Sequence, residues 1–242
     1  MLEMKDITAG YGETMILRNI SLDFPSGTVT AVLGPNGCGK STLLKAAAGL
    51  LPIADGEISA PQPRARHIAY LPQSRRLPEM TVRQLVLQGR YPWLGWPRRY
   101  GERDLALAEG AMERLGVEEY AHRPLAELSG GTRQRCFLAM TLAQDPEIFL
   151  LDEPTSFLDP LHQLRLLELC RELAAEGKAV AVVLHDLPLA LRYADRAAVM
   201  KDGQLLAVDS PERLLERGIL EQVFGVKILG VDNPEGRSYV CI

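Results

Sequence analysis

An α/β fold with an inserted helical region is predicted by three features of this 242-residue sequence. At both ends of the chain, short apolar runs that suit buried strands alternate with amphipathic segments that suit helices. Residues 72–144 instead carry a helical pattern that proline and glycine interrupt. Hydrophobic residues make up 47% of the chain and charged residues 24%, which is typical of a globular protein and excludes a disordered one.

The N-terminal part of the chain predicts mainly strands. Apolar and polar residues alternate in the first strands, and 28–33 is a short apolar strand. A glycine-rich loop then leads into a helix over 40–50, which we expect to end at Pro52 and a turn at 54–56. Another short strand is predicted at 68–71.

The rest of the chain predicts helices followed by renewed α/β alternation. Asp202-Gly203 separates the last two predicted strands and is a strong hairpin signal. Residues 206–242 are predicted to be a mostly structural tail. The elements are helices near 82–87, 105–115, 132–142, 160–175 and 187–193, and strands at 148–151, 179–184, 197–201 and 205–208.

Several classes of protein are excluded by composition. The chain has no run of about eighteen apolar residues that could span a bilayer, and residues 1–6 lack the features of a signal peptide. The cysteines are scattered without CxxC spacing, so neither a zinc site nor a disulfide framework is predicted. We therefore expect a soluble cytosolic protein.

Residues 34–41 match the phosphate-binding pattern GxxxxGK[ST] in full, between a predicted strand and a predicted helix. The glycines allow consecutive backbone N–H groups to surround an anion, and the helix N-terminus adds its positive dipole end. Lys40 can reach the β- and γ-phosphates of a nucleotide, and the Ser41 hydroxyl suits Mg²⁺. The predicted nucleotide-binding residues are Gly34, Pro35, Asn36, Gly37, Cys38, Gly39, Lys40, Ser41 and Thr42.

Two carboxylates follow the apolar run 148–151 directly. A buried strand delivers Asp152 and Glu153 to its carboxyl end, where ligands of open α/β sheets bind. Asp152 is predicted to hold magnesium through its water shell, as a Walker B aspartate does. Glu153 is predicted to accept a proton from the attacking water.

A basic segment stands out in an otherwise acidic chain. Residues 64–103 contain nine arginines and two acidic residues, so the segment carries +7 although the chain carries −4. Such a surface suits an anionic partner such as lipid headgroups, nucleic acid or an acidic protein. The alternative is a solvated surface whose arginines pair with acidic residues elsewhere in the chain.

Residues 128–135 (LSGGTRQR) resemble the signature motif of the ATP-binding cassette (ABC) ATPases, and they lie where the family places it, shortly before the strand that leads to Asp152. The chain is identified as a member of that family over roughly residues 1–225, because its other motifs follow in order. Tyr11 is similar to the aromatic residue that stacks on adenine, 156–159 to the D-loop, and His185 to the switch histidine. The site residues that these motifs add are Tyr11, Gln73, Ser129, Gly130, Gly131, Asp159 and His185.

The resemblance implies a P-loop NTPase fold of the ABC ATPase type. Its core is a mixed sheet, with an antiparallel β subdomain and an inserted α-helical subdomain. As one domain over 1–242, the chain divides into the core with the β subdomain (1–72 and 145–225), the helical subdomain (73–144) and a C-terminal tail (226–242).

The family's chemistry is ATP hydrolysis with Mg²⁺. The resemblance implies that Gln73 contacts the metal and the attacking water, and that His185 contacts the γ-phosphate. Residues 129–131 bind the ATP held by the other subunit, which implies a homodimer around two nucleotides. Thr132 replaces the usual Gln of the signature motif, and we expect its hydroxyl to cap the following helix.

Residues 81–93, 161–163 and 185–195 resemble the branch that serves importers of iron-siderophore complexes, haem and vitamin B12. That likeness implies a peripheral protein on the cytoplasmic face of the inner membrane. It would dock near residues 73–103 onto a polytopic permease, in a system with an extracytoplasmic substrate-binding protein and no nucleic acid. The cassette does not touch the transported compound, so its sequence does not name it.

Two other classes remain as alternatives. One is a soluble ABC ATPase without a transport role, for instance in iron–sulfur cluster assembly. The other is a regulatory nucleotide-binding module that does not hydrolyse ATP, against which the presence of both Glu153 and His185 argues. Trp93 and Trp96 are predicted to be packing anchors rather than platforms for stacked bases, since neighbouring prolines break the continuous surface that stacking needs.

Overall fold

A computed structural model of the chain describes residues 1–74, 77–233 and 236–242. Their strands and helices alternate at both ends of the chain, as the sequence predicts. The strands are β1 (Leu2–Tyr11), β2 (Thr14–Phe24), β3 (Thr28–Leu33), β4 (Ile53–Ser59), β5 (Ile68–Leu71), β6 (Ile148–Asp152), β7 (Ala179–Val183), β8 (Arg196–Lys201), β9 (Gln204–Asp209), β10 (Ile228–Asn233) and β11 (Gly236–Cys241). The helices are α1 (Lys40–Ala47), α2 (Arg64–His67), α3 (Val82–Gln88), α4 (Glu102–Arg114), α5 (Gly130–Ala143), α6 (Pro160–Ala175), α7 (Leu187–Tyr193), α8 (Pro211–Glu216) and α9 (Ile219–Phe224).

The central sheet has six strands in the order β5-β6-β7-β3-β8-β9. The first five are parallel, and β9 closes the sheet antiparallel to β8 through the predicted hairpin. Every residue of β6 and β7 is buried, as expected for strands whose two faces are both covered. Parallel strands place their carboxyl ends on one edge, so the segments after β3, β5, β6 and β7 meet there.

A second, antiparallel sheet is formed by β2, β1 and β4. Together the two sheets confirm the predicted fold class. The turn predicted at 54–56 is wrong, because these residues lie within β4, which pairs with β1 through register shifts. Gly56 has φ 95° beside the carbonyl oxygens of Lys5 and Asp6, where a Cβ would collide. The glycine therefore serves an irregular strand pair rather than a turn.

Between β5 and β6, the described part of the chain forms α3, α4 and α5, which pack on one another. Thr81 and Gln84 form a capping box at the start of α3. The predicted start of α5 is wrong by two residues. The helix begins at Gly130, and the Ser129 hydroxyl rather than that of Thr132 caps it by accepting the Thr132 N–H at 3.2 Å.

A hydrogen-bonded cluster ties these helices to the central sheet. The guanidinium of Arg90, which is 3% exposed, donates to Asp104 at 2.9 Å and to the carbonyl oxygens of Ala143 and Gln144 at 3.0 Å. Trp93 Nε1 donates to that same Gln144 carbonyl at 2.9 Å. Gln144 in turn donates from Nε2 to Ile68 O at 2.8 Å, which joins the end of α5 to the start of β5.

The two tryptophans differ in their surroundings. Trp93 is 36% exposed, but the guanidinium carbons of Arg66 and Arg90 lie 5.4 Å and 5.3 Å from its ring centroid, and these contacts support its predicted role as a packing anchor. Trp96 is 93% exposed, and the prediction that it is a packing anchor is therefore wrong. No helix in the described ranges has the length and hydropathy needed to cross a bilayer.

The C-terminal residues form more structure than the sequence indicated. Two short helices and the hairpin β10–β11 follow β9, and β11 packs against α7. Tyr239 on β11 is buried, and its hydroxyl donates to Glu212 Oε1 at 3.0 Å. Burial and this hydrogen bond raise the pKa of Tyr239 to about 12. The tail is thus fastened to the core.

Candidate functional site

The loop between β3 and α1 has the shape of an anion cradle. Gly34, Gly37 and Gly39 have φ values of 154°, 80° and 107°, which side chains rarely adopt. A Cβ at Gly34 would collide with the Met200 carbonyl oxygen and with the Cys38 thiol. The loop then enters α1 at Lys40, so backbone N–H groups and a helix N-terminus converge on one point.

A cleft of about 430 Å³ opens above this loop, at the edge where the parallel strands end. Most of the predicted nucleotide-binding residues line it. Gly34, Pro35 and Cys38 belong to the same loop but do not line the cleft, and burial raises the pKa of the Cys38 thiol. The lining residues are Tyr11, Ile16, Asn36, Gly37, Gly39, Lys40, Ser41, Thr42, Gln73, Glu153 and His185.

Lys40 places a buried positive charge at the base of the cleft. Its side chain is 7% exposed, and Nζ donates to the carbonyl oxygens of Gly34 at 2.7 Å and Pro35 at 3.0 Å. Neither partner is charged, and within the described ranges no carboxylate forms an ion pair with this ammonium, although a buried cation needs a counter-charge. A phosphate group in the cradle can supply it.

Glu153 connects three elements of this edge. It directly follows β6, is 9% exposed and has φ 49°. Gln73, which comes after β5, donates from Nε2 to Glu153 Oε2 at 2.7 Å. His185, which comes after β7, places Nε2 at 2.6 Å from Oε1. Both carboxylate oxygens are thus held, and the group faces the cleft as a proton acceptor.

Asp152 is almost fully buried at the end of β6, and burial raises its pKa. The hydrogen bonds from Ser41 and Tyr70 oppose this increase, Tyr70 donating to Oδ2 at 3.2 Å. Its other oxygen, Oδ1, is buried without a hydrogen-bond partner in the described ranges. An unsatisfied buried carboxylate oxygen is costly, and a hydrated Mg²⁺ bound at Ser41 would satisfy it. Asp152 and Ser41 therefore fit a hydrated Mg²⁺ ion.

Tyr70 is a site residue that the sequence reasoning missed. It reaches from β5 to Asp152, whereas the sequence predicts only a short strand at 68–71. A tyrosine in a short apolar strand beside a carboxylate-bearing strand was the available signal, because a buried hydroxyl needs a partner.

The signature residues lie apart from this cleft. Ser129 and Gly130 are exposed at the start of α5, and Gly131 is half-buried. They do not line the cleft, and neither does Asp159, which is exposed and caps α6 by accepting the His162 N–H at 3.0 Å. This hydrogen bond lowers the pKa of Asp159. Within one protomer, these predicted nucleotide-binding residues do not meet the phosphate-binding loop.

The basic segment is only partly free. Arg75 and Arg76 lie outside the described residues. Arg90 pairs with Asp104, which agrees with the alternative that some of these arginines serve the fold. Arg98 stacks over the Tyr91 ring at 4.2 Å, and it remains exposed beside the exposed Arg99. The strongest basic surface in the described part of the segment therefore lies around residues 91–103.

Known proteins resemble this chain along its whole length. The ABC transporter family model matches residues 17–156. FpuD of Bacillus anthracis, a petrobactin import ATP-binding protein, is 42% identical over 252 aligned positions that cover 100% of this chain and 92% of that protein. A solved ABC transporter assigned to the metal-chelate type, in an inward-facing conformation, is 26% identical with a TM-score of 0.86, covering 100% of this chain and 97% of that one. The dimeric structure of MJ0796, a bacterial ABC transporter cassette, is 28% identical with a TM-score of 0.77, covering 87% and 99%.

The chain belongs to the ABC transporter family, and it is an ATP-binding cassette with the ATPase fold. The predicted family and the predicted enzyme class are thereby confirmed. The roles of individual site residues stay predictions.

Proposed function

We propose that this protein is the ATP-hydrolysing energy-coupling subunit of an importer for iron-siderophore, haem or cobalamin-type metal chelates. The observation that carries the ATPase mechanism is the buried Glu153 carboxylate, held between Gln73 and His185 above the phosphate-binding loop. This geometry suits a base that takes a proton from a water molecule next to the γ-phosphate.

The cradle residues bind and orient the nucleotide. Backbone N–H groups of 34–41 surround the phosphates, and Lys40 compensates their charge. Tyr11 stands 48% exposed at the rim, where its ring can stack on adenine, and Lys45 donates to its hydroxyl at 3.3 Å. Mg²⁺, held by Ser41, Gln73 and the water shell of Asp152, supplies Lewis-acid stabilisation of phosphate charge when bound.

We also propose a homodimer in which residues 129–131 complete the site of the other protomer. Two observations support it. These residues form an exposed helix N-terminus that fits phosphate but lies away from the chain's own cleft. The solved relative MJ0796 is dimeric. ATP binding would then close the dimer, and hydrolysis would reopen it.

The membrane partner is proposed to dock near residues 73–103, of which the structure describes all but Arg75 and Arg76. Exposed aromatic and basic side chains cluster there, including Trp96, Arg98 and Arg99. This supports a polytopic permease as partner, with the cassette peripheral on the cytoplasmic face of the inner membrane beside its anionic leaflet. An extracytoplasmic substrate-binding protein would complete the system, and no nucleic-acid partner is proposed.

The substrate class rests on the relatives. Relatives of this chain include ATP-binding proteins for siderophore transport, iron(3+)-hydroxamate import and hemin import. These names favour an importer over a soluble iron–sulfur assembly ATPase. We propose the same division of the chain as in the sequence analysis, with 73–144 as the helical subdomain that transmits movement to the permease. The packing of α3, α4 and α5 as one group supports that division.

The test is Glu153→Gln. The amide keeps the size of the side chain but cannot accept the proton, so we expect ATP turnover to fall by at least about a hundredfold. Binding of Mg-ATP should persist, and ATP-bound dimers should accumulate in size-exclusion chromatography with light scattering. A variant that still hydrolyses ATP within tenfold of the wild type contradicts the role of Glu153 as base. Co-purification with a polytopic membrane protein tests the transport role.

A further inference from the structure

The turn formed by residues 153–158 connects the cleft to the start of α5. Glu153 at its beginning has φ 49°, and Phe157 near its end has φ 68°. These left-handed conformations are unfavourable for residues with bulky side chains and persist only where the surroundings hold them. The contacts that hold this turn therefore decide where the Glu153 carboxylate lies.

Gln134, in the second turn of α5, makes the central contact. Its side chain is 5% exposed, and Nε2 donates at 2.7 Å to the carbonyl oxygen of Pro154, the residue after Glu153. This hydrogen bond is buried, so it is stronger than it would be in water, and losing it would leave the carbonyl oxygen unsatisfied. Gln134 thereby restrains the peptide group next to Glu153.

The same turn also contacts the first residues of α5. A Cβ built on Gly130 would lie 3.6 Å from the Phe157 Cβ, and one on Gly131 would lie 3.0 Å from the Phe157 carbonyl oxygen. The turn thus lies close to the N-terminus of α5 and is hydrogen-bonded to the same helix at Gln134. Because a helix moves as a rigid rod over so short a length, a displacement of 130–131 also displaces Gln134 and Pro154.

We propose that Gln134 is a positioning residue that links the nucleotide bound at residues 129–131 to the orientation of Glu153 in the same protomer. The proposal rests on the proposed dimer, in which 129–131 contact the ATP of the other protomer. Each protomer then senses one nucleotide at the start of α5 and acts on the other through Glu153. In this arrangement the movement of α5 as a whole couples the two ATP sites of the dimer. No side chain between the sites has to change its conformation.

The test is Gln134→Met, which keeps the length of the side chain and removes the amide donor. We expect kcat to fall by about tenfold to a hundredfold, because small misplacements of a reacting group have effects of that size. The Kd for Mg-ATP should stay within about twofold of the wild type, since Gln134 does not line the cleft. The double variant E153Q/Q134M should still form ATP-dependent dimers.

Gln144→Met is the matched control. Gln144 follows the same helix at its other end, and its Nε2 donates to the carbonyl oxygens of Ala65 at 2.9 Å and Ile68 at 2.8 Å. Q144M should lower the thermal midpoint about as much as Q134M does, while kcat stays within about twofold of the wild type. This contrast separates a positional effect from a general loss of stability.

Gln134→Glu supplies an independent readout. A carboxylate cannot donate to Pro154 O, whereas a protonated carboxyl group of the same shape can. The ratio of Q134E to wild-type kcat should therefore rise as the pH falls, and the Q144M ratio should stay level.

Three results would overturn the proposal: Q134M with wild-type kcat, equal losses of kcat in Q134M and Q144M, or a fall in ATP affinity that accounts for the whole loss of activity. Failure of the proposed function has a different signature. E153Q alone would then remain monomeric in Mg-ATP, whatever residue stands at position 134.

Discussion

The molecule has two glycine-containing turns that lead into helix N-termini, and they are built differently. The turn at 34–39 uses left-handed glycines, lies in a cleft and has Lys40 and Glu153 beside it. In the turn at 129–131 no glycine has a left-handed φ, Ser129 supplies the cap, and residues 129–130 are exposed.

This difference shows which turn can act alone. The first places amide donors, a cation and a carboxylate in one cleft of a single protomer, which suits the binding of a phosphoanhydride without a partner. The second offers only a helix N-terminus and a hydroxyl, which in the proposed dimer would add stabilisation to a phosphate that the other protomer holds. Three predictions test this contrast.

The largest effect is expected from Lys40→Ala. Loss of a buried ammonium that makes charged hydrogen bonds to phosphate should weaken Mg-ATP binding by about a hundredfold or more, which corresponds to about 3 kcal/mol. Gly130→Asp, which puts a negative charge on the second turn, should leave binding to a single protomer unchanged and prevent the ATP-bound dimer. Equilibrium binding of a fluorescent ATP analogue measures the first effect, and light scattering the second. Equal losses of affinity in both variants would contradict the division between the turns.

A smaller effect is expected when the free energies of unfolding of Gly34→Ala and Gly130→Ala are compared. The methyl group at Gly34 would meet the Met200 carbonyl oxygen in a left-handed backbone, so we expect a loss of about 2–4 kcal/mol in the free energy of unfolding. The methyl group at Gly130 meets only ordinary contacts with Phe157, and stability should change by less than about 0.5 kcal/mol. Urea unfolding followed by circular dichroism measures both values. A larger loss in the free energy of unfolding for G130A than for G34A would contradict this difference between the two turns.

The smallest effect concerns the helix cap. Ser129→Ala removes the hydroxyl that accepts the Thr132 N–H, which should lower the free energy of unfolding by about 1 kcal/mol. Thr132→Ala removes only a neighbouring hydroxyl, 3.0 Å from the Ser129 oxygen, and should have about half of that effect or less. Thermal unfolding of the two variants ranks them. A larger loss in T132A would restore the original expectation that Thr132 is the cap.

Most of the secondary structure could be predicted because local patterns specify it. Apolar runs predicted β6 and β7, which are buried throughout, and Asp202-Gly203 predicted the β8–β9 hairpin. The helix predicted over 40–50 ends at Ala47 in the structure, three residues earlier than expected, and Gly49 follows with φ 74°. A left-handed glycine just after a helix is a common stop signal that the prediction overlooked.

Other features depend on tertiary packing, which local patterns do not reveal. Gly56 looked like a turn residue, but the carbonyl oxygens of β1 require a glycine inside a strand. Trp96 was predicted to be a packing anchor rather than a platform for stacked bases, because neighbouring prolines break the surface that stacking needs, but its side chain is exposed. Residues 206–242 carry weak local patterns, and Tyr239 finds its partner Glu212 only through tertiary packing.

By itself, the sequence determined the class of protein, because the phosphate-binding loop, the strand that ends in Asp152 and Glu153, and the signature motif are contiguous patterns. Tertiary structure alone decided which groups meet: Gln73 and His185 reach Glu153 because β5, β6 and β7 are neighbours in one parallel sheet. Tyr70 reaches Asp152 for the same reason, whereas Gln134 reaches Pro154 from helix α5. Hydrogen bonds act over about 3 Å in space, whatever the separation along the chain.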